Sequence, residues 1–152
     1  MATFYSDLVT NIKLRPLTTV TSAGQIVQQT TVADIPNTHA ANDIIQLGVL
    51  PKGHVLVDCY LATDELDTHG TDTLAYDLGV LNSTADGLVA STKIISAGKM
   101  EVAKIQRMNS VEGIRNIAAD SADRVIAIKI TNVAATKAAG KVTCVLQYAA
   151  EE

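Results

Sequence analysis

Apolar residues recur at every second position through most of the chain, and turn residues interrupt them about every 8–12 residues, the rhythm of short antiparallel strands. The first such run is QIVQQTTVAD (25–34), polar and β-branched with period two. A turn at Ile35-Pro36-Asn37-Thr38 leads to a strand over DIIQLGVL (43–50). In Pro51-Lys52-Gly53, proline presets φ and glycine accepts a positive φ, so a tight turn is expected. The next strand runs from His54 to Thr63, with Val55, Val57, Cys59 and Leu61 on one face and Leu56, Asp58, Tyr60 and Ala62 on the other. A turn between two apolar runs predicts a hairpin here. After an acidic loop (64–72), Leu74, Tyr76, Leu78 and Val80 alternate inward against Ala75, Asp77 and Gly79, and Asn82 to Gly87 form a loop.

Residues 88–119 show no single period. Ile94 and Ile95 suggest a short strand, and Ile114, Ile117 and Ala118 fit one helical face, whereas Met100, Ile105, Met108 and Val111 follow neither spacing. The pattern then returns. In RVIAIKITNVA, Ile126, Ile128 and Ile130 face the core, and Arg124 opens the strand in their phase but points out at the rim. KVTCVLQYA places Val142, Cys144, Leu146 and Tyr148 on one face against Thr143, Val145 and Gln147. These two strands predict a hairpin with a loop around Lys137 to Gly140. Their outward residues are small or polar, as suits antiparallel strands half exposed to water or to a neighbouring subunit. Seven or eight strands without βαβ alternation give an all-β fold, an antiparallel β-sandwich or barrel.

Residues 1–24 read differently, as an N-terminal arm on a sandwich of residues 25–152. FYSDLVTN allows one or two helical turns, and Arg15-Pro16 and TTVTSAG break any regular element. Phe4, Tyr5, Leu8, Ile12 and Leu14 are the candidate contact residues of an arm that docks on a subunit; the competing reading is a frayed terminus.

Composition narrows the function classes. A chain of 152 residues, 47% hydrophobic and with net charge −4, is long and apolar enough for one domain with its own core, and unlike a disordered chain. Its aromatics are one Phe and four Tyr, with no Trp, so the core is aliphatic and stacking platforms for sugars, bases or flat cofactors are disfavoured. The 12 basic residues are scattered among 16 acidic ones, unlike a nucleic-acid footprint. No apolar run has the length of a membrane span, and a secretory signal is not evident, so synthesis in a cytoplasm with reduced thiols is expected.

Candidate chemistry is sparse. Asp64, Glu65, Asp67, His69 and Asp72 cluster near Gly70, but their spacing is not that of an EF-hand, and the simpler reading is a solvated loop whose carboxylates accept local backbone donors. His39, His54 and His69 lack zinc-site spacing. Cys59 and Cys144 lie in apolar strands and read as small buried hydrophobes; a disulfide between facing strands is the alternative. Nothing selects a catalytic residue, a cofactor or a metal site, and the chain is expected not to be an enzyme.

The central run IIQLGVLPKGHVLVDCYLATDELDTHGTDTLAYDLGVLN resembles small structural proteins of tailed bacteriophages, through Leu47, Gly48, Leu50, Pro51, Gly53, Asp64, Leu66, Asp77, Gly79, Leu81 and Asn82. The opening ATFYSDLVTN and the closing RVIAIKITNVA…AGKVTCVLQY are similar to the arm and final strands of that group, so the resemblance covers about two-thirds of the chain. It implies a jelly-roll-like sandwich acting as a capsid decoration (cement) protein: a homotrimer, without cofactor, seated on the outer surface of the virion's major capsid protein lattice. The alternatives are a head–tail connector or tail subunit and, in another class, a β-sandwich module that binds host glycans.

Overall fold

The structure, a computed structural model, describes residues 1–6, 25–71, 73–100 and 103–150. Leu8, Ile12, Leu14 and Asp72 lie outside the described residues. The strands are β1 (Thr3–Tyr5), β2 (Ile26–Ile35), β3 (Ile44–Leu50), β4 (His54–Thr63), β5 (Ala75–Leu81), β6 (Leu88–Lys99), β7 (Lys104–Arg107), β8 (Arg124–Asn132) and β9 (Gly140–Ala150), with a six-residue helix α1 (Val111–Asn116) between β7 and β8.

Two sheets form, one in the order β1-β3-β8-β5-β6 and one in the order β2-β9-β4-β7. Apart from β1, whose pairing with β3 is parallel, every ladder is antiparallel. The pairs β2/β9, β3/β8, β4/β7 and β5/β6 are nested one inside the next. This is the strand order of an eight-stranded jelly roll. The expected sandwich is therefore formed, with β1 added at one edge.

Two expected hairpins are not. The turn at 51–53 joins β3 to β4, which lie in different sheets, and the loop around 137–140 joins β8 to β9, also in different sheets. Both connections arch across the sandwich. Alternation shows which face of a strand is buried, but it is the same for a neighbour within the sheet and for one across the core. The consecutive pair that does form a hairpin is β5/β6, around the loop at Asn82–Gly87. Ala85 in that loop holds φ at 57°, a left-handed conformation that strains an L residue with a Cβ. Ala85→Gly is expected to raise stability by about 0.5–1 kcal/mol in urea unfolding.

The core is the aliphatic filling between the two sheets. Ile126, Ile128 and Ile130 are fully buried, as are Leu74, Tyr76 and Leu78, and Cys144, Leu146 and Tyr148 answer them from the second sheet. The phase assigned to β4 fails at its start, for Val55 and Val57. Val57 is exposed because a bulge interrupts the β4–β9 register between Leu56 and Asp58. The extra residue flips the phase, so Leu56 packs on the core before the bulge, and Cys59 and Leu61 after it.

Residues 88–119 resolve into a long irregular strand and the element that shields it. Strand β6 spans 12 residues, with repeated register shifts against β5. The Asn109 and Ser110 amides both donate to the Ile94 carbonyl (3.1 and 3.2 Å), and Asn116 Nδ2 donates to Ser91 O (2.6 Å). Gly113 sits so close that a Cβ there would meet the Lys93 carbonyl oxygen at 2.7 Å. The segment through α1 thus covers the outer edge of β6, a row of backbone groups open to strand pairing if left bare.

A second close approach ties the sheets together. Tyr76 reaches from β5 toward β7, where its hydroxyl donates to Gln106 Oε1 (2.5 Å) and Gln106 Nε2 donates to Lys99 O (2.7 Å). Burial pushes the Tyr76 phenol well above its ordinary value. The ring crosses Gly98 so closely that a Cβ would lie 2.4 Å from ring carbon Cζ. Gly98→Ala is expected to cost about 2–4 kcal/mol, read as a lower urea midpoint, because neither the backbone nor the buried ring can yield.

Cys59 and Cys144 are buried free thiols. Cys59 stands opposite Leu146, and Cys144 opposite Leu61, so the two are diagonal neighbours. Such positions are about 7–8 Å apart at Cα, beyond the span of a relaxed disulfide. The adjoining Cys144 thiol and burial together push the Cys59 thiol up, which keeps it protonated.

Candidate functional site

The acidic loop is an anchored segment in which Leu66 and Asp67 are fully buried while Asp64 and Glu65 are exposed. Leu66 accepts from the Ala138 amide (3.1 Å) and Thr68 donates to Thr136 O (3.0 Å), so the segment pairs with the β8–β9 connection. Asp67 is the hub. One carboxylate oxygen accepts from the amides of Thr73 (2.9 Å), Leu74 (3.3 Å) and Ala135 (3.0 Å), the other from Thr136 (2.9 Å) and His69 (3.4 Å). Burial alone would raise this carboxyl, but the amide donors outweigh it and hold it well below the usual carboxylate range. The local-donor reading of the loop therefore applies to Asp67, though not its solvation.

The histidines are placed apart in the fold and bound to backbone. Nδ1 of His39 meets Pro36 O (2.9 Å), that of His54 meets Lys52 O (2.9 Å), and that of His69 accepts from the Thr71 amide (3.0 Å). His54 also stands edge-on to Tyr148, with ring centres 5.5 Å apart. Among the described residues, no three His, Cys, Asp or Glu side chains converge as metal ligands do, and no helix is long and apolar enough to cross a membrane.

What the molecule offers is surface, and its two sheets offer different kinds. On the outer face of the five-stranded sheet, Ile44, Gln46, Val49 and Ala127 are buried. On the outer face of the four-stranded sheet, Ile26 and Ile105 are 58% and 69% exposed, and Gln28 and Thr30 are exposed. The register lines these side chains up in rungs: Ile26, Ala149 and Val55; then Gln28, Gln147 and Asp58; then Thr30, Val145, Tyr60 and Arg107. Ala62 and Ile105 continue the apolar strip. Two ion pairs lie on this face, Arg107 with Asp58 and Lys141 with Asp34 (2.5 Å), and Asp64 adds a carboxylate beside Lys141.

Comparison with known proteins gives this surface its context. No protein-family model matches the chain, and no curated protein does. Among solved structures, a chain of the capsid of Ralstonia phage GP4 superposes with a TM-score of 0.86 at 26% identity, over 99% of both chains. The chain is built like a phage capsid component. A chain of the cyanophage Pam1 capsid asymmetric unit shares the fold at 22% identity, with a TM-score of 0.59 over 90% of this chain and 94% of that one.

In this capsid-type sandwich the candidate arm residues divide. Phe4 and Tyr5 belong to β1 and so form strand where a helical turn was allowed for, because the edge of β3 offers backbone partners: Phe4 stands beside Ile45 and Tyr5 beside Gln46. Phe4 packs on the core and Tyr5 is exposed. The Ala2 amide donates to Asp43 Oδ1 (2.6 Å), and the buried Ser6 hydroxyl donates to Leu47 O. The surface positions missed in the sequence are Val55 and Val57, assigned to the face of Cys59 and Leu61, and Ile105, in the stretch without a period. The signal available for Val57 was Leu56, a large aliphatic residue in the phase of Asp58 and Tyr60.

Proposed function

We propose that the chain is a non-catalytic decoration (cement) protein that binds the outer surface of an assembled tailed-phage shell and stabilises it, acting as a homotrimer. The observation that carries this reading is the end-to-end likeness to a chain of the Ralstonia phage GP4 capsid. An acidic sandwich with ion pairs set into one open, partly apolar face suits an associative role. A protein that binds the assembled lattice better than free subunits stabilises assembly by mass action, and threefold symmetry lets three modest contacts act together.

The test adds purified chain to shells assembled without it. Binding over the whole shell and a higher shell melting temperature are expected, and light scattering should give the mass of a trimer. A monomer that never binds overturns the reading, and label confined to one vertex or the tail replaces it with a connector role.

The arm residues Phe4, Tyr5, Leu8, Ile12 and Leu14 are proposed contacts in the same assembly. Deleting residues 1–16 removes β1 and the Asp43 and Leu47 contacts, but none of the eight nested strands. The truncated chain is expected to fold, with about 1–3 kcal/mol less stability, and to bind shells more weakly. Circular dichroism and co-sedimentation check the two halves of that expectation.

A further inference from the structure

We propose that the outer face of the β2-β9-β4-β7 sheet is the surface that docks on the shell, and that its occupant is a shell subunit of different sequence presenting a flat, uncharged, apolar and amide-rich patch. The inference rests on the capsid-binding reading above and assigns the face, which that reading leaves open.

Charge is the first argument. The chain carries a net −4, but over the middle of this face Asp58 is paired with Arg107, and the remaining charges gather at one end, where Lys141 pairs with Asp34 and lies beside Asp64. A partner over the middle of this face needs no countercharge, and covering it strands no unpaired ion, the costly outcome at an interface. Between the ion pairs, the exposed side chains are aliphatic, amide or hydroxyl: Ile105, Ile26, Thr30 and Gln28. The Gln147 amide already donates to Gln28 Oε1 (3.1 Å), so the polar rung is largely satisfied and presents a flat surface.

Area argues against a second copy of the same face. The face spans up to four strands and about nine residues, roughly 500 Å² from strand spacing and rise. A stable pair of free proteins buries about 800 Å² on each partner. A patch of this size is too small to hold two molecules in solution and becomes effective when several act at once on a lattice. The other sheet offers less, since Ile44, Val49, Gln46 and Ala127 of its outer face are already buried.

The experiment uses the full chain and shells assembled without it. Ile105→Lys and Thr30→Lys each place a new charge on the face at an exposed position, and Val89→Lys places one on the exposed part of β6 in the other sheet. Expected is at least tenfold weaker co-sedimentation for each of the first two, with the far-UV spectrum, melting temperature and light-scattering mass unchanged, and wild-type binding for Val89→Lys. Wild-type binding by both face variants, or equal loss for Val89→Lys, overturns the face assignment while leaving capsid binding intact. A fall in mass for Ile105→Lys or Thr30→Lys makes the face a contact between copies and also overturns it. Failure of the unaltered chain to bind any shell overturns the capsid-binding reading itself.

Discussion

Ile128→Asp is expected to abolish folding. Ile128 is fully buried on β8, the middle strand of the five-stranded sheet, between Ile45 of β3 and Leu78 of β5. Truncating a buried isoleucine costs about 2–5 kcal/mol, and an unpaired carboxylate in that setting adds several more. Together these match or exceed the roughly 5–15 kcal/mol by which a domain is stable. Far-UV circular dichroism and urea unfolding should show no cooperative transition. A soluble variant with a native spectrum would mean that the side chain faces outward and that the strand phase is reversed.

Asp67→Asn is the second large effect, at about 3 kcal/mol of stability. The carboxylate gathers five amides from two connections, and an amide side chain can accept from one oxygen only. The substitution places an NH2 group against inward-pointing N–H donors. The same carboxylate makes stability depend on pH. Its folded value is held below the unfolded value of about 3.9, so its contribution is complete above that value and is lost as pH falls toward the folded one. Wild type should therefore lose stability below about pH 4 more steeply than Asp67→Asn, and the two urea midpoints should converge in acid. Parallel midpoints down to pH 2.5 would show that the carboxylate's charge is not what the loops are built on.

The sequence displayed the sandwich well and its wiring poorly. The isoleucine phase of β8 and the Val142–Tyr148 phase of β9 could be read because the largest apolar side chains of each strand share one phase. The hairpins inferred at 51–53 and 137–140 were wrong for a shared reason: a tight turn and a β-arch use the same residues, and partner choice depends on strands far away in sequence. The bulge at Val57 is equally non-local, since one extra residue in β4 makes sense only against the unbroken phase of β9. Only a short strand at Ile94 and Ile95 could be read within β6, because the left-handed Ala97 (φ 52°) and repeated register shifts erase its period of two. Of the candidate contacts, Phe4 and Tyr5 could be singled out as apolar residues outside the alternating region. Ile105 could not, because four residues of β7 are too few to establish a period.

The nested pairing has a consequence for when this protein can fold. Strand β9 lies between β2 and β4, so neither of those pairs with another strand of its sheet until β9 is present, apart from the short β7 against β4. On a ribosome, the β5/β6 hairpin can close early, and each further pair encloses a longer stretch of chain, at a loop-closure cost that rises with separation. The second sheet therefore waits for β9 to emerge, and until then the apolar inner faces of β2 and β4 stay open. A nascent chain held just short of β9 should be protease-sensitive throughout β2 and β4, and a few residues more should protect both strands together.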